Sequence, residues 1–293
     1  MINRVTNQGL AVAAQRNLQL SLSTLSRMQE TASSLKRISV PSDDPAGTAD
    51  SIRVRSAQNA VAQFARNISD GNSWMSVVDT ALGQTNDIMK KVRDLTVQGA
   101  NDGALSPTQK EAIAVELESL RAELMTTANT KYLGRTVFAG NSDAGVAFNA
   151  DLSFTGTGSS VERRISETTS IRVDADGAAA FGEGADSAFA LVDNIIADLR
   201  SGVNVGTRIT EIDERVLTIS GQRGAVGARQ AQVLKAQGAN MSESVSLEAQ
   251  RAEVEDVDLG KAILDLKAQE VSYQAALAVT ARALQPSLMD FLS

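Results

Sequence analysis

Three stretches of the sequence carry residue types that could bind a ligand. Glycines recur over 221–227, Asp174 to Gly177 resembles the beginning of a calcium loop, and acidic residues crowd 253–258. The glycine spacing fits neither a dinucleotide loop nor a P-loop, and the calcium-like stretch lacks the later ligands and the closing glutamate. We therefore interpret the three as a small-residue stripe where two helices come close, an Asp-Gly turn and a helix N-terminus.

The composition excludes the most common catalytic groups. The 293 residues include no Cys and no His, which excludes disulfides, thiolate nucleophiles, imidazole bases and the usual zinc ligands. Carboxylates are plentiful, but none lies beside a recognisable base, nucleophile or glycine-rich loop. The sequence predicts no catalytic residue, no cofactor and no metal, and therefore a protein that is not an enzyme.

Charge and hydropathy restrict the partners. The net charge of −7 argues against nucleic acid and against an anionic membrane. No stretch approaches the roughly 20 apolar residues of a membrane span, and the apolar run near the start is too short for a secretory signal peptide. Composition alone would place the chain in the cytoplasm.

The elements that would position any site are predicted to be long helices. Apolar residues make up 43% of the chain but aromatic residues only 3%, a composition typical of helix–helix seams. A proline turn at 41–45 precedes a helix from Pro45 to about Gly99, with Asp44 as its cap. A capping box at Ser106–Gln109 begins a helix that should fold back antiparallel on it. A second long helix should run from about Gly202 to about Gln250, with a seam that thins after Ile219.

A β-rich insert is predicted to interrupt the helices. The stretch Gly134–Gly140 indicates a short strand, and 141–186 is rich in Gly, Ser, Thr and Asp with two β-prone runs. The predicted fold class is mainly α, a long antiparallel helical rod with coiled-coil packing and a small β-rich insert. Because the apolar seams lie outside 141–186, we expect the rod to survive removal of this insert. The predicted domains are an N-terminal assembly helix (1–43), a helical rod core (44–140 and 187–256), the outer insert (141–186) and a C-terminal assembly helix (257–293).

The two ends resemble each other in pattern and differ in charge. Residues 1–41 are net basic and residues 243–293 net acidic, so we expect them to lie alongside each other. We also expect both ends to be disordered in the free monomer and to become helical on assembly. Each end carries an apolar stripe, and the predicted subunit-interface residues are Leu18, Leu22, Leu25, Leu35, Leu259, Ile263, Leu266, Tyr273, Leu277, Leu284 and Phe291.

Three sequence blocks carry a resemblance to a known family. They are Val40–Pro45 (V-P-S-D-D-P), Arg93–Asn101 (R-D-L-T-V-Q-G-A-N) and a set at the C-terminal end: Val254–Asp258, Tyr273–Leu277 and Leu288–Leu292. With these blocks the chain resembles the flagellin superfamily over about residues 1–140 and 187–293. Within it the chain looks like the hook–filament junction proteins, the hook-associated protein 3 family.

Three features favour the junction family over filament flagellins. Pro41 and Pro45 replace an alanine-rich version of the turn, Gly134–Gly140 is similar to the junction pattern G-R/K-x-x-F-x-G, and Gln285–Leu288 is also junction-like. One departure is Leu35, which stands where the family usually has glycine. The bend before the proline turn is therefore expected to differ.

The resemblance implies a role, a location and partners. It implies a structural adaptor that joins hook to filament as a ring of copies held by the N- and C-terminal helices. The neighbours would be hook-associated protein 1 on the hook side and flagellin on the filament side. It also implies export by the flagellar type III apparatus, an export chaperone on the C-terminal segment, and an extracellular place in the bacterial flagellum. The alternatives are a filament flagellin with a reduced outer domain and, less favoured, a signalling coiled coil.

Overall fold

The computed structural model describes residues 7–101, 105–156 and 158–284. Within these residues the α-helices are α1 Asn7–Ser34, α2 Pro45–Gly99, α3 Pro107–Ala128, α4 Gly177–Phe181, α5 Ala188–Ser201, α6 Arg208–Glu255 and α7 Leu259–Leu284. The short strands are β1 Lys131–Tyr132, β2 Arg135–Thr136, β3 Glu162–Arg164 and β4 Ser170–Arg172. The mainly α prediction, with long packed helices and few strands, is confirmed.

The chain divides into two compact units. Unit 1 combines the described residues up to Asn59 with those from Ser244 onward, and unit 2 is Ala60–Glu243. The division runs through α2 and α6, so each long helix contributes to both units.

The helix starts follow the predicted capping. The Asp44 carboxylate accepts a hydrogen bond from the backbone N–H of Gly47 at 2.8 Å, which satisfies one of the free donors at the start of α2. At α3 the predicted box is complete, because the Ser106 hydroxyl accepts from Gln109 N and the Gln109 side chain accepts from Ser106 N. The sequence therefore predicted both boundaries from cap chemistry alone.

Unit 2 is held by antiparallel helices. Ion pairs Arg93–Asp213 at 2.6 Å and Asp79–Arg223 at 2.7 Å show that α2 and α6 run in opposite directions. The α6 seam does not thin after Ile219, because Val226 and Val233 continue it at seven-residue spacing and are buried. Helix α3 lies antiparallel to α5, with the ion pairs Arg121–Asp193 and Arg200–Glu111 between them.

The insert forms part of the core of unit 2. Phe148 lies 5.2 Å from Phe189 of α5 between ring centroids, and Phe138 lies 5.2 Å from Phe181. All four rings are buried. Apolar packing therefore extends through 141–186, which contradicts the premise that the seams lie outside the insert. The phenylalanines of this cluster are single residues separated by polar turns. They follow neither the helical nor the strand period, so the sequence pattern does not predict the cluster.

Two antiparallel hairpins contain the predicted short strand and the two β-prone runs. The strand predicted over Gly134–Gly140 is limited to β2. Strands β1 and β2 pair through a two-residue turn, in which Leu133 and Gly134 both have positive φ. Such a turn matches the twist of the flanking strands. Strand β3 pairs with β4, where the two β-prone runs were predicted.

The glycine-rich stretch of α6 lies on an exposed face. A Cβ added at Gly221, Gly224 or Gly227 would meet no described atom within 4 Å. The predicted approach of a second helix is therefore wrong for the described part of this chain.

The described helices also include none that is both long and apolar enough to cross a membrane.

Candidate functional site at the paired helices

Helices α1 and α7 pack against each other in unit 1. The side-chain amide of Gln269 donates to the carbonyl of Ser21 at 3.2 Å and to its hydroxyl at 3.1 Å. Half-buried positions recur on both helices at three- and four-residue spacing around this contact: Leu18, Ser21, Leu25 and Met28 on α1, and Leu266, Gln269, Tyr273 and Ala276 on α7. This spacing is typical of a two-helix coiled-coil seam. The predicted pairing of the ends is present.

A two-helix seam leaves most of each helix uncovered. Among the described side chains of α1 and α7, none is fully buried. The exposed apolar side chains include Val12, Leu20, Leu264, Val271 and Val279, which sequence analysis missed, and Leu264 is 72% exposed. Exposed apolar surface along a helix pair is typical of a protein-binding surface.

The predicted interface residues separate into two groups. Leu18, Leu25, Leu266 and Tyr273 lie in the seam between α1 and α7 of the same chain. Another five are between 40% and 49% exposed: Leu22, Leu35, Leu259, Ile263 and Leu277. The side chain of Leu284 and the whole of Phe291 lie outside the described residues. The interface assignment itself stays a prediction, and the second group is the part of it available to neighbours.

Charge does not explain the pairing of the two helices. Among the described residues no ion pair joins α1 to α7, and the Lys267–Glu270 pair lies within α7. The seam is apolar, with the Gln269–Ser21 contact inside it. The acidic excess of 243–293 lies mainly in 243–258, before α7 begins, whereas α7 itself has three basic and two acidic residues.

A short backbone link joins the residues that follow α1 to the residues between α6 and α7. The N–H of Val257 donates to the carbonyl of Leu35 at 3.1 Å, and the N–H of Arg37 donates to the carbonyl of Glu255 at 2.7 Å. Leu35 itself ends α1 in the left-handed region, with a φ of 57°. That conformation favours glycine. Leu35 therefore adopts the conformation that a glycine would adopt here, and the difference expected for this bend is not observed.

A buried carboxylate lies at this link. The Glu255 side chain accepts hydrogen bonds from Ser51 Oγ at 2.5 Å and from Arg55 Nε and Nη2 at 2.5 and 2.7 Å. Arg251 approaches the same carboxylate at 3.4 Å. The hydrogen bonds from Arg55 lower the pKa of Glu255 from 4.5 to about 2 although burial opposes the shift. Glu255 therefore stays ionised and fixes the end of α6 to the beginning of α2 within unit 1.

The acidic run 253–258 spans a helix break and not only the start of the last helix, as predicted. Glu255 ends α6, and Asp258 caps α7 by accepting from Lys261 N at 3.1 Å. Arg55 and Glu255 are 200 residues apart, and no local pattern links residues so distant. The alternation of acidic residues with Val254 and Val257 was the signal available, and it fits a helix break as well as a helix start.

Comparison with known proteins identifies related sequences at both ends of the chain. The model of the bacterial flagellin N-terminal helical region matches residues 5–143, and that of the C-terminal helical region matches 209–292. The flagellar filament 33 kDa core protein of Treponema phagedenis is 29% identical over 281 residues, which is 94% of each chain. The matched regions contain the whole of α1, α2, α3 and α7, and all of α6 except Arg208.

Solved structures share the fold. A flagellar hook-associated protein of Vibrio parahaemolyticus has a TM-score of 0.68 at 19% identity, over 73% of this chain and 100% of its own. Flagellar hook-associated protein-3 of Legionella pneumophila has a TM-score of 0.60 at 14% identity, over 69% and 98%. The chain belongs to the flagellin superfamily, whose members are structural proteins, and it is an exported component of the extracellular part of the bacterial flagellum.

Proposed function

We propose that this chain is the structural adaptor that joins the flagellar hook to the filament. The observation that carries the proposal is the block Gly134–Gly140, whose pattern matches the junction family. Gly134 has a φ of 81° in the β1–β2 turn, and Phe138 is buried. At Gly140 a Cβ would lie 2.1 Å from the carbonyl oxygen of Ser159. Gly134, Phe138 and Gly140 of the pattern G-R/K-x-x-F-x-G thus each have a structural reason.

The proline turn gives independent support. Pro41 occupies the second position of a turn in which Asp43 N donates to Val40 O at 3.0 Å, where its fixed φ is favourable. The Asp43 carboxylate accepts from Val40 N at 3.0 Å. The block V-P-S-D-D-P therefore makes a rigid connection between α1 and α2, which suits a subunit whose terminal helices must point in one direction.

The proposed assembly is a ring of copies. Helices α1 and α7 would supply the contacts through their exposed apolar residues, with hook-associated protein 1 on the hook side and flagellin on the filament side. A flagellar export chaperone would cover the C-terminal segment before secretion, since the same apolar residues would otherwise promote aggregation.

The second candidate is a filament flagellin with a reduced outer domain. It is favoured by the Treponema relative, which has nearly the same length and is described as a filament core protein. Both candidates require self-assembly through the ends, so the exposed faces of α1 and α7 do not separate them.

A deletion strain separates the two candidates. Without the junction adaptor, cells should carry hooks without filaments and release abundant flagellin into the medium. Loss of the filament's bulk protein from cells and medium would instead identify a flagellin. Immunogold labelling of the wild-type flagellum is the second readout, since the junction assignment expects one focus at the hook end. Normal-length filaments in the deletion strain, or label along the whole filament, would contradict the junction assignment.

A further inference from the structure

Helix α6 carries an exposed stripe that nothing in the described chain covers. We define the α6 stripe as six exposed residues at four-, three- and seven-residue spacing: Leu217, Gly221, Gly224, Ala228, Ala231 and Gly238. It extends for about 30 Å at ~1.5 Å per residue. Leu217 is 72% exposed. Exposed Lys235 lies in line with these residues, between Ala231 and Gly238, so the face is small or apolar apart from one cation. A solvent-facing helix surface of this kind normally has a partner.

The glycines of the stripe allow no close contact among the described residues. A Cβ at Gly221, Gly224 or Gly238 would meet no described atom within 4 Å. Glycine lowers helix stability relative to alanine, so these positions weaken α6 with no compensating contact in the described chain. Small residues allow a second helix backbone to approach closely. The partner surface should therefore also be a helix.

Charge identifies which helix fits. From Arg215 to Ser242 the chain has four basic residues and no acidic residue. Arg223 is paired with Asp79, whereas Lys235 is exposed and has no ion pair among the described residues. The partner helix should therefore present acidic side chains beside a small or apolar stripe.

Helix α3 presents such a face. Its outward positions alternate at three- and four-residue spacing: Ala112, Val115, Ser119 and Ala122, all exposed. Glu116 and Glu123 lie beside them, exposed and without an ion pair among the described residues. Glu111 and Glu118 differ because both are paired with Arg200. The α3 face is thus small, acidic and unpartnered.

We propose that the α6 stripe of one copy binds the outward face of α3 of the next copy. The two surfaces lie on different helices, so successive copies can repeat the contact head to tail, and such a repeat generates a ring or a helical array. Lys235 of one copy would lie near Glu116 or Glu123 of its neighbour. The inference rests on the self-assembly in the proposed function, and it names a contact in unit 2 in addition to those of α1 and α7.

The first test places a large side chain in the α6 stripe without disturbing the monomer. Gly224→Leu should keep or raise the melting temperature, because the position is open and leucine favours helix. It should lower the amount of subunit retained on flagella by at least about tenfold. Ala225→Leu is the matched control, since Ala225 is exposed on α6 but rotated by about 100° from Gly224. Normal retention of a folded Gly224→Leu variant, or equal losses in both variants, would overturn the proposal.

The second test identifies the partner and does not depend on the first. The chain has no cysteine, so Ala228→Cys and Ala122→Cys each introduce a single thiol. When the two variants are coexpressed and assembled, a short bismaleimide should link them into a species of twice the chain mass. Each variant alone should give at least about tenfold less. Equal yields from one variant alone, a product containing a different protein, or no product from intact flagella would contradict the α6–α3 contact. Immunogold position is measured separately, so a failure of the junction role remains distinguishable from a failure of this contact.

Discussion

Glu255 shows how one residue can fix a connection between distant parts of unit 1. Its carboxylate accepts hydrogen bonds from Ser51 and Arg55 and forms an ion pair with Arg251, and the residue is only 4% exposed. The charge would be unfavourable there without these donors. The carboxylate is therefore a structural residue, although its position in an acidic run suggests a solvated one.

Glu255→Gln should destabilise unit 1 by about 2 kcal/mol, because at this buried position the amide N–H group would face the donors of Ser51 and Arg55 instead of accepting from them. Urea unfolding followed by far-UV circular dichroism measures the loss. Glu253→Gln is the control, since Glu253 is exposed and has no ion pair among the described residues. Equal stability of the two variants would show that the Glu255 contacts contribute nothing.

The pKa of Glu255 gives a pH dependence with a defined sign. The pKa in the folded state is about 2 against an ordinary 4.5. The ionised group therefore stabilises the fold fully above about pH 4.5, and the contribution is lost as the pH falls toward 2. Between pH 5 and pH 2 the native protein should lose stability more steeply than Glu255→Gln. Parallel curves for the two proteins would contradict this assignment.

Leu35 holds a backbone conformation that costs a non-glycine residue about 1 kcal/mol. Its φ of 57° ends α1, and its N–H bonds to Thr31 O at 3.0 Å. Leu35→Gly should stabilise the free protein by up to about 1 kcal/mol. Leu35→Ala keeps the positive φ and should give no such gain, so an equal gain in both variants would assign the effect to loss of an exposed leucine instead.

At the scale of elements, the sequence predicted what local chemistry determines. Asp44 and the Ser106 capping box predicted the starts of α2 and α3. It did not predict what distant contacts determine. Glu255, at which α6 ends, is bound by Arg55 from the other end of the chain, and the insert enters the core through the contact of Phe148 with Phe189. Nor could the sequence show that the α6 glycines face solvent, because a small residue fits both a close helix contact and an open face.

The insert should be required for the stability of unit 2. Phe148→Ala should lower the free energy of unfolding by about 4 kcal/mol, since it removes a buried ring that contacts Phe154, Phe181 and Phe189. Leu133→Ala, at a residue 80% exposed, should change it by about 0.5 kcal/mol or less. Deletion of 141–186 should then abolish cooperative unfolding of unit 2. A deletion variant that melts like the native protein would restore the view of a separable insert.

At the scale of the whole molecule, the two units differ in how much apolar surface they bury. Of the buried apolar residues in the described chain, Leu247 belongs to unit 1 and all the others to unit 2. Unit 2 can therefore fold on its own core. Unit 1 depends on the Glu255 link and on a two-helix seam, and a single pair of helices is marginal in water. This difference suits an exported subunit that completes its structure in the assembly.

The two units should therefore differ in hydrogen exchange. In the free monomer at low concentration, amides of α1 and α7 should exchange rapidly, because the two helices share one half-buried seam and none of their described side chains is fully buried. Amides of α2 and α6 within 60–243 should be strongly protected by the core of unit 2. On assembly, protection of α1 and α7 should rise as neighbours cover Leu22, Ile263 and Leu277. The control is a truncation to about 44–256, which should stay soluble, keep its melting transition and fail to assemble. Strong protection of 259–284 in the dilute monomer, or assembly by the truncated chain, would show that the ends are ordinary core helices whose folding does not depend on neighbours.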